Sequence, residues 1–447
     1  MIRLTELRLP IDHAPEDLEV AICKKLAILA KDLIRYEVFK RSYDARKNNV
    51  LSFIYILDLS VKDEEAVLKR LAHDPHIRLS PDTRYHFVAH FDSHIKPQSA
   101  LRPVVIGFGP CGIFAALTLA QMGLKPIVLE RGKPVRERTQ DTWGLWRKKI
   151  LNPESNVQFG EGGAGTFSDG KLWSQVKDPK FHGRKVLQEF VKAGAPEEIL
   201  YVSKPHIGTF RLVGVVEKMR KEIIELGGEV RFGQKVTGFE ISNHVLQGIH
   251  LESGDFLEAD HVVLALGHSA RDTFATLHDA GVYMEAKPFS VGFRIEHPQS
   301  LIDRTRLGPH AGNPLIGAAD YKLVHHAKNG RSVYSFCMCP GGEVTQCTSE
   351  EGACVVNGMS NEARDSGFAN SGLVAKVNTS DFGSEHLLGG MYFQRFWEHK
   401  AFQSAQETYG APAMSVQDFM SRKPSGKLPA SSFQPFTVPA DITQCLP

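Results

Sequence analysis

Along residues 1–92 the apolar positions switch repeatedly between the period of a strand and that of a helix. IRLTELRLPI reads as a strand, PEDLEVAICKKLAILA as a helix, IRYEVFKRSY and LSFIYILDLS as strands, KDEEAVLKRLAH as a helix and RYHFVAHF as a strand. The order β-α-β-β-α-β predicts a ferredoxin-like α+β domain over 1–95. It holds no catalytic constellation, which points to an accessory or docking role. The polar, proline-bearing DSHIKPQSALRP then reads as a linker.

From residue 102 the pattern becomes a buried strand, a glycine turn, a long apolar helix and a second buried strand (PIVLE), the βαβ unit of a parallel sheet. RLVGVVEKMRKEIIELGG continues as a helix with a glycine stop. The short strands EVRFG, KVTGFEIS, VLQGIHLES and FLEADHVVLALG follow, two of them joined as a hairpin by SGD. Residues 282–379 carry short alternating segments such as SVGFRIE and RSVYSFCM, which predict an antiparallel substrate domain. The expected division is therefore 1–95, a Rossmann-like α/β domain with a β-meander over 102–281, a β-rich substrate or cap domain over 282–425, and a proline-rich segment over 426–447.

Two stretches satisfy G-x-G-x-x-G, and their contexts separate them. Gly107, Gly109 and Gly112 follow the apolar VVI and open the helix at Pro110 and Cys111. Gly107 permits the tight turn, Gly109 lets backbone approach a pyrophosphate, and Gly112 lets helix and sheet pack closely. The helix N-terminus then offers unpaired N–H groups to phosphates. Glu130, at the end of the next strand, is placed to accept from a ribose diol. The second match, within FGEGGAGTFSDG, follows the polar LNPESNVQ and precedes no helical apolar period. It predicts a loop whose backbone comes close to a flat ligand, at Gly162, Gly163, Ala164, Gly165, Thr166 and Ser168, with Phe159 and Phe167 arguing against a freely solvated segment. Ala265-Leu266-Gly267, closing a strand after the meander, is a third cofactor signal.

Composition removes other classes. The 447 residues carry a net charge of +2, with 23% charged residues, which announces neither a nucleic-acid nor a membrane surface. No run approaches the length of a membrane span and the N-terminus lacks a signal-peptide h-region. The seven cysteines form no regular framework, as expected of reduced thiols in the cytoplasm. A small-molecule substrate is the default partner.

The segments VVIGFGPCGIFAALTLAQMG, LERGKPVRERTQDTW, NPESNVQFGEGGAGTFSDGKL, KPHIGTFRL, KPFSVGFRIEHPQ and FCMCPGGEV resemble uncharacterised FAD-dependent dehydrogenases of the NAD(P)/FAD-dependent oxidoreductase superfamily, with a glutathione-reductase-type FAD-binding fold. The resemblance implies FAD binding and a redox role. Gly107, Gly109 and Gly112 would form its pyrophosphate turn, Glu130 would hold the adenosine ribose, and Arg131 would lie near the adenine. The Val236 backbone would meet the adenine, Gly162 to Ser168 would line the flavin, and Ala265 to Gly267 would make the second crossing. It further implies a closing C-terminal strand and glycine-rich turn. Residues 426–447 offer neither, so a shortened FAD domain, with an unpaired sheet edge beside VVIGFG, is expected.

His268, Arg271, Lys171 and Asp169 are the candidate acid–base groups, each weighed against a purely structural role. Cys337, Cys339, Cys347 and Cys354 lie at C-x-C-x7-C-x6-C, a spacing that matches no usual metal knuckle; CMC would place two thiols on one strand face. The open readings are a metal centre, a thiol such as Cys337 beside the flavin, and ordinary buried cysteines. With no second nucleotide-binding fold, NADH or NADPH would dock transiently as hydride donor, or the substrate itself would reduce the flavin. The alternative to an oxidoreductase is a flavin-binding regulatory or RNA-associated protein.

Overall fold

A computed structural model describes residues 1–44, 51–91, 101–168, 170–174, 176–383, 385–423 and 426–447; the candidate Asp169 lies outside them. The chain forms two compact units, one of 1–86, 171–207 and 299–320, the other of 87–170, 208–298 and 321–447.

In the first unit, β1 (Ile2–Pro10), β2 (Leu33–Asp44), β3 (Ser52–Val61) and β4 (Ile77–Leu79) form one antiparallel sheet in the order β2-β3-β1-β4. Helices α1 (Pro15–Leu26) and α2 (Glu64–Arg70) follow β1 and β3, and Ile22, Leu26 and Val67 join Ile2, Leu4, Leu57 and Leu59 in the core. The fourth strand is not RYHFVAHF. Ile77–Leu79, following α2, takes the free edge of β1, and 84–91 forms no strand: Tyr85 packs edge-on against the His182 ring, Val88 is 92% exposed and Phe91 N–H donates to the Met122 carbonyl at 2.8 Å. Segment 201–203 runs along β2, where Arg41 N–H donates to the Tyr201 carbonyl at 2.6 Å.

The second unit is built on β5 (Val104–Ile106), α3 (Pro110–Gln121), β6 (Ile127–Glu130), α4 (Val135–Lys148), α5 (Thr209–Glu225) and β7 (Glu229–Phe232). The meander β8 (Val236–Ser242), β9 (Val245–Leu251) and β10 (Phe256–Glu258) follows, then β11 (Val262–Leu264). The parallel sheet has the order β11-β5-β6-β7. Val104, Ile106, Ile127 and Leu129 pack against Val236, Ile249 and Leu251 of the meander, which is why β5 and β6 are apolar runs rather than alternating ones. The expected unpaired edge beside VVIGFG is not there: β5 lies between β11 and β6, and the edge is β11.

A second, antiparallel sheet has the order β12-β17-β14-β13, from β12 (Phe289–Pro298), β13 (Val324–His326), β14 (Ser332–Cys339) and β17 (Phe368–Val377), with the hairpin pair β15 (Glu343–Gln346) and β16 (Val356–Met359) beside it. The helix Gly389–Ser404, here α7, follows α6 (Arg271–Asp279) in the unit. The two thiols of CMC do not share a face. The β14/β17 register shifts between Phe336 and Cys339, Cys337 has φ +48° and is exposed, and Cys339 is buried. Among the described residues no helix is long and apolar enough to cross a membrane.

Candidate dinucleotide-binding site

The turn from β5 into α3 is closed by contact. A Cβ on Gly107, at φ +97°, would lie 2.4 Å from the Ala265 carbonyl oxygen, and one on Gly112 would lie 1.9 Å from that of Gly107. Only glycine permits this meeting of turn, helix and β11. Gly109 is the N-cap of α3 and brings no side-chain acceptor, and Pro110 follows at the first helical position, so the first-turn N–H groups are left for a ligand.

The second glycine stretch packs onto this turn. Gly162 N–H donates to the Phe108 carbonyl at 2.8 Å, and a Cβ on Gly163 would lie 2.9 Å from Gly109 Cα. The buried carboxylate of Glu130 accepts from the N–H groups of Phe108 (2.7 Å), Gly132 (2.8 Å) and Gly160 (2.9 Å), tying the turn, the end of β6 and the loop together. Arg138, fully buried on α4, donates to the carbonyls of Asn156, Val157, Gly160, Glu161 and Gly163 at 2.6–3.4 Å. Burial pulls its pKa down to about 10, against the opposing pull of Glu130 and Glu161.

These segments wall a cavity of about 280 Å³. It is lined by Gly107, Gly109, Pro110 and Cys111 of the turn, Gly163, Ala164 and Gly165 of the loop, Glu130, Arg131 and Val236, and Ala265, Gly267 and His268 after β11. Gly112, Gly162, Thr166 and Ser168 do not line it. Thr166 Oγ1 donates to the Glu161 carbonyl and Ser168 Oγ to that of Gly165. Arg131 donates to Glu154 and, with two nitrogens, to Asp272, and its guanidinium lies 4.3 Å from the centre of the Phe159 ring. Although burial opposes ionisation of Asp272, its bonds to Arg131 hold its pKa at about 2.

A larger cavity of about 750 Å³ adjoins the first, and Gln158, His268 and Ser269 border both. Strand β12 and α7 line it, with Cys347, Cys354 and Cys445. Burial pushes the thiols of Cys347 and Cys354 up to about 12, so both are neutral and poorly nucleophilic. His268 opens onto the cavity, yet the surrounding protein and then Arg271 hold its pKa below 6.5. Arg271 is committed to ion pairs, donating to Glu398 and Glu350 at 2.6–2.9 Å, and although burial opposes it these carboxylates raise its pKa and hold it charged, which unsuits it to acid–base exchange. Lys171 belongs to the first unit, bridged to His206, and neither it nor Cys337 borders these cavities. Among the described residues no group of three or more His, Cys, Asp or Glu is placed to hold a metal ion.

Arg138, Gln158 and Ser269 were not singled out from the sequence. For Arg138 a signal existed. Val135, Arg138, Thr142 and Leu145 make one helical stripe, and a charge on an otherwise buried stripe marks an internal partner.

Fold and site together define an α/β protein with several sheets, in which a glycine turn and a glycine-rich loop wall a small cavity. Residues 288–447 match the family model described as FAD-dependent protein, C-terminal domain-like, and residues 1–60 match a domain of unknown function (DUF8436). An uncharacterized protein of Clostridium beijerinckii is 46% identical over 428 residues, 96% of this chain and 79% of its own length. The chain belongs to the family of that protein. Solved structures similar to part of it include the L-amino acid deaminase of Proteus vulgaris (14% identity, 57% of this chain and 72% of that one, TM-score 0.30). A halogenase in complex with FAD is another (10% identity, 67% and 55%, TM-score 0.33). Both likenesses are too slight to bear on the chemistry of this chain.

Proposed function

We propose that the protein is an FAD-dependent oxidoreductase that holds FAD noncovalently and acts on a small molecule. The observation that carries this reading is the pair of adjoining cavities. The smaller has the glycine turn, the open first turn of α3 and Glu130, a donor and acceptor set that suits the adenosine diphosphate half of FAD. The larger has room for a flavin and a substrate together.

Bound flavin would supply the two-electron chemistry. The chain's own groups bind, orient and exclude water. The backbone of 163–165 and of 265–267 would face the cofactor, and Phe289, Val291, Phe293 and Ile295 of β12 would give the larger cavity apolar surface against a flavin or substrate. His268, between the cavities and neutral near pH 7, can accept a proton or a hydrogen bond there. Either a nicotinamide donor docking transiently or the substrate itself brings the electrons.

The test is titration of the purified protein with FAD, followed by anaerobic stopped-flow mixing of the complex with NADH and with NADPH. The expected result is stoichiometric flavin binding, with bleaching by one nicotinamide if that is the donor. Failure to bind FAD would sink the proposal, whereas binding without bleaching would assign reduction to the substrate.

A further inference from the structure

The most unusual side chain in the second unit is Arg138. A guanidinium has five N–H donors in a rigid fork. Here they meet five backbone carbonyls, all from residues 156–163, and none goes to a carboxylate. Its stem is equally confined, since a Cβ on Gly160 would lie 2.4 Å from Arg138 Cδ. The peptide flanks of Gly160 are gripped twice, the N–H by Glu130 and the carbonyl by Arg138. The attachment is reciprocal as well. Glu161, in the same loop, accepts the N–H of Val135 at 2.8 Å, at the start of the helix that carries Arg138.

Burying a charge is costly, and what an apolar residue of the same size cannot supply is the directional set of bonds that this guanidinium makes. What the fork specifies is the path of a loop that has too many glycines to define its own path. The loop bears on the cofactor turn directly through Gly162 N–H to Phe108 and the approach of Gly163 to Gly109.

We propose that Arg138 is a positioning residue for the bound dinucleotide. It holds 156–163 against the turn at Gly107–Gly112, so that Gly163, Ala164 and Gly165 form a finished wall before the cofactor arrives. This rests on the FAD reading above. It predicts that lysine cannot replace Arg138, because one ammonium with three donors cannot span five carbonyls.

The test compares wild type, Arg138→Lys and Arg138→Ala by amide hydrogen exchange without FAD, by FAD titration, and by the flavin midpoint potential. In wild type the amides of 156–165 are expected to be protected before FAD is added. In Arg138→Lys their exchange should speed up about tenfold or more, FAD should bind about tenfold or more weakly, and the potential of the flavin that does bind should move. Ethylguanidinium should restore part of the affinity to Arg138→Ala, whose truncated side chain leaves it room, which a general loss of folding would not allow. Unprotected wild-type amides without FAD, or unchanged exchange and affinity in Arg138→Lys, would overturn the proposal. A wild-type protein that binds no FAD but keeps the protected loop would instead overturn the functional reading, so the two failures are distinguishable.

Discussion

The carboxylate of Glu130 accepts the backbone N–H of Gly160 at 2.9 Å, across thirty positions of sequence. The acid that sequence pattern assigns to a ribose is thus also the anchor of the glycine loop. With N–H bonds from Phe108, Gly132 and Gly160, three of a carboxylate's roughly four acceptor directions are occupied, and about one remains for a ligand hydroxyl.

Glu130→Ala should therefore damage the protein before any cofactor is added. Three buried N–H groups lose their acceptor, and unfolding free energy should fall by about 3 kcal/mol or more. Glu130→Gln should be nearly as harmful, because its NH2 group would face N–H donors. Urea denaturation of the apoprotein measures both. Undisturbed stability with weakened FAD binding would confine Glu130 to the ribose.

What the sequence made legible was local. The turn at Gly107–Gly112 and the strands around it were readable because strand, turn and helix chemistry lie within twenty residues. RYHFVAHF misled because its alternation is genuine while its partner is decided elsewhere, by Ile77–Leu79 reaching the edge of β1 first. Glu130 was half legible. Its place at a strand end follows from spacing, but its bond to Gly160 depends on a loop path that Arg138 sets. Cys337 and Cys339 show the same limit, since a one-residue irregularity in β14 separates two thiols that simple alternation puts together.

Arg271 should prove structural. Its side chain is 9% exposed and binds Glu398 and Glu350, so Arg271→Met takes the guanidinium away from the largely buried Glu398 carboxylate, while Glu350 keeps its bonds to Arg395. A loss of about 3 kcal/mol is expected. The double variant Arg271→Met/Glu398→Gln should recover part of it, and a double variant no better than the single one would refute the pairing. Thermal and urea unfolding report the difference.

His268 gives a pH dependence of defined sign. Its folded pKa lies below 6.5, from burial first and the charge of Arg271 second, with Glu398 opposing. Between the folded value and 6.5 the unfolded chain binds more protons, so stability falls as pH drops through that window and is fully present above it. Subtracting the Tm–pH curve of His268→Asn from that of wild type should isolate this slope. A flat difference curve would mean that His268 is solvated normally.

Gly163 and Gly165 separate the two ways in which the loop can matter. If their hydrogens made room only for the ligand, alanine at either place would weaken FAD binding and leave the apoprotein as stable as before. The contacts argue otherwise for Gly163. Its φ is +55°, which costs an alanine about 1 kcal/mol, and its Cβ would stand 2.9 Å from Gly109 Cα, backbone that cannot yield without opening the cofactor turn. At Gly165, with no left-handed φ, the nearest atom is Pro110 Cγ at 3.1 Å, and a small ring movement relieves it. Gly163→Ala should therefore lower the Tm of the apoprotein and weaken FAD binding together, while Gly165→Ala changes both much less and Gly165→Val mainly affects binding. Unfolding midpoints and flavin-fluorescence titrations of the three variants test the order. Equal stability of Gly163→Ala and wild type would show that the loop does not rest on the turn.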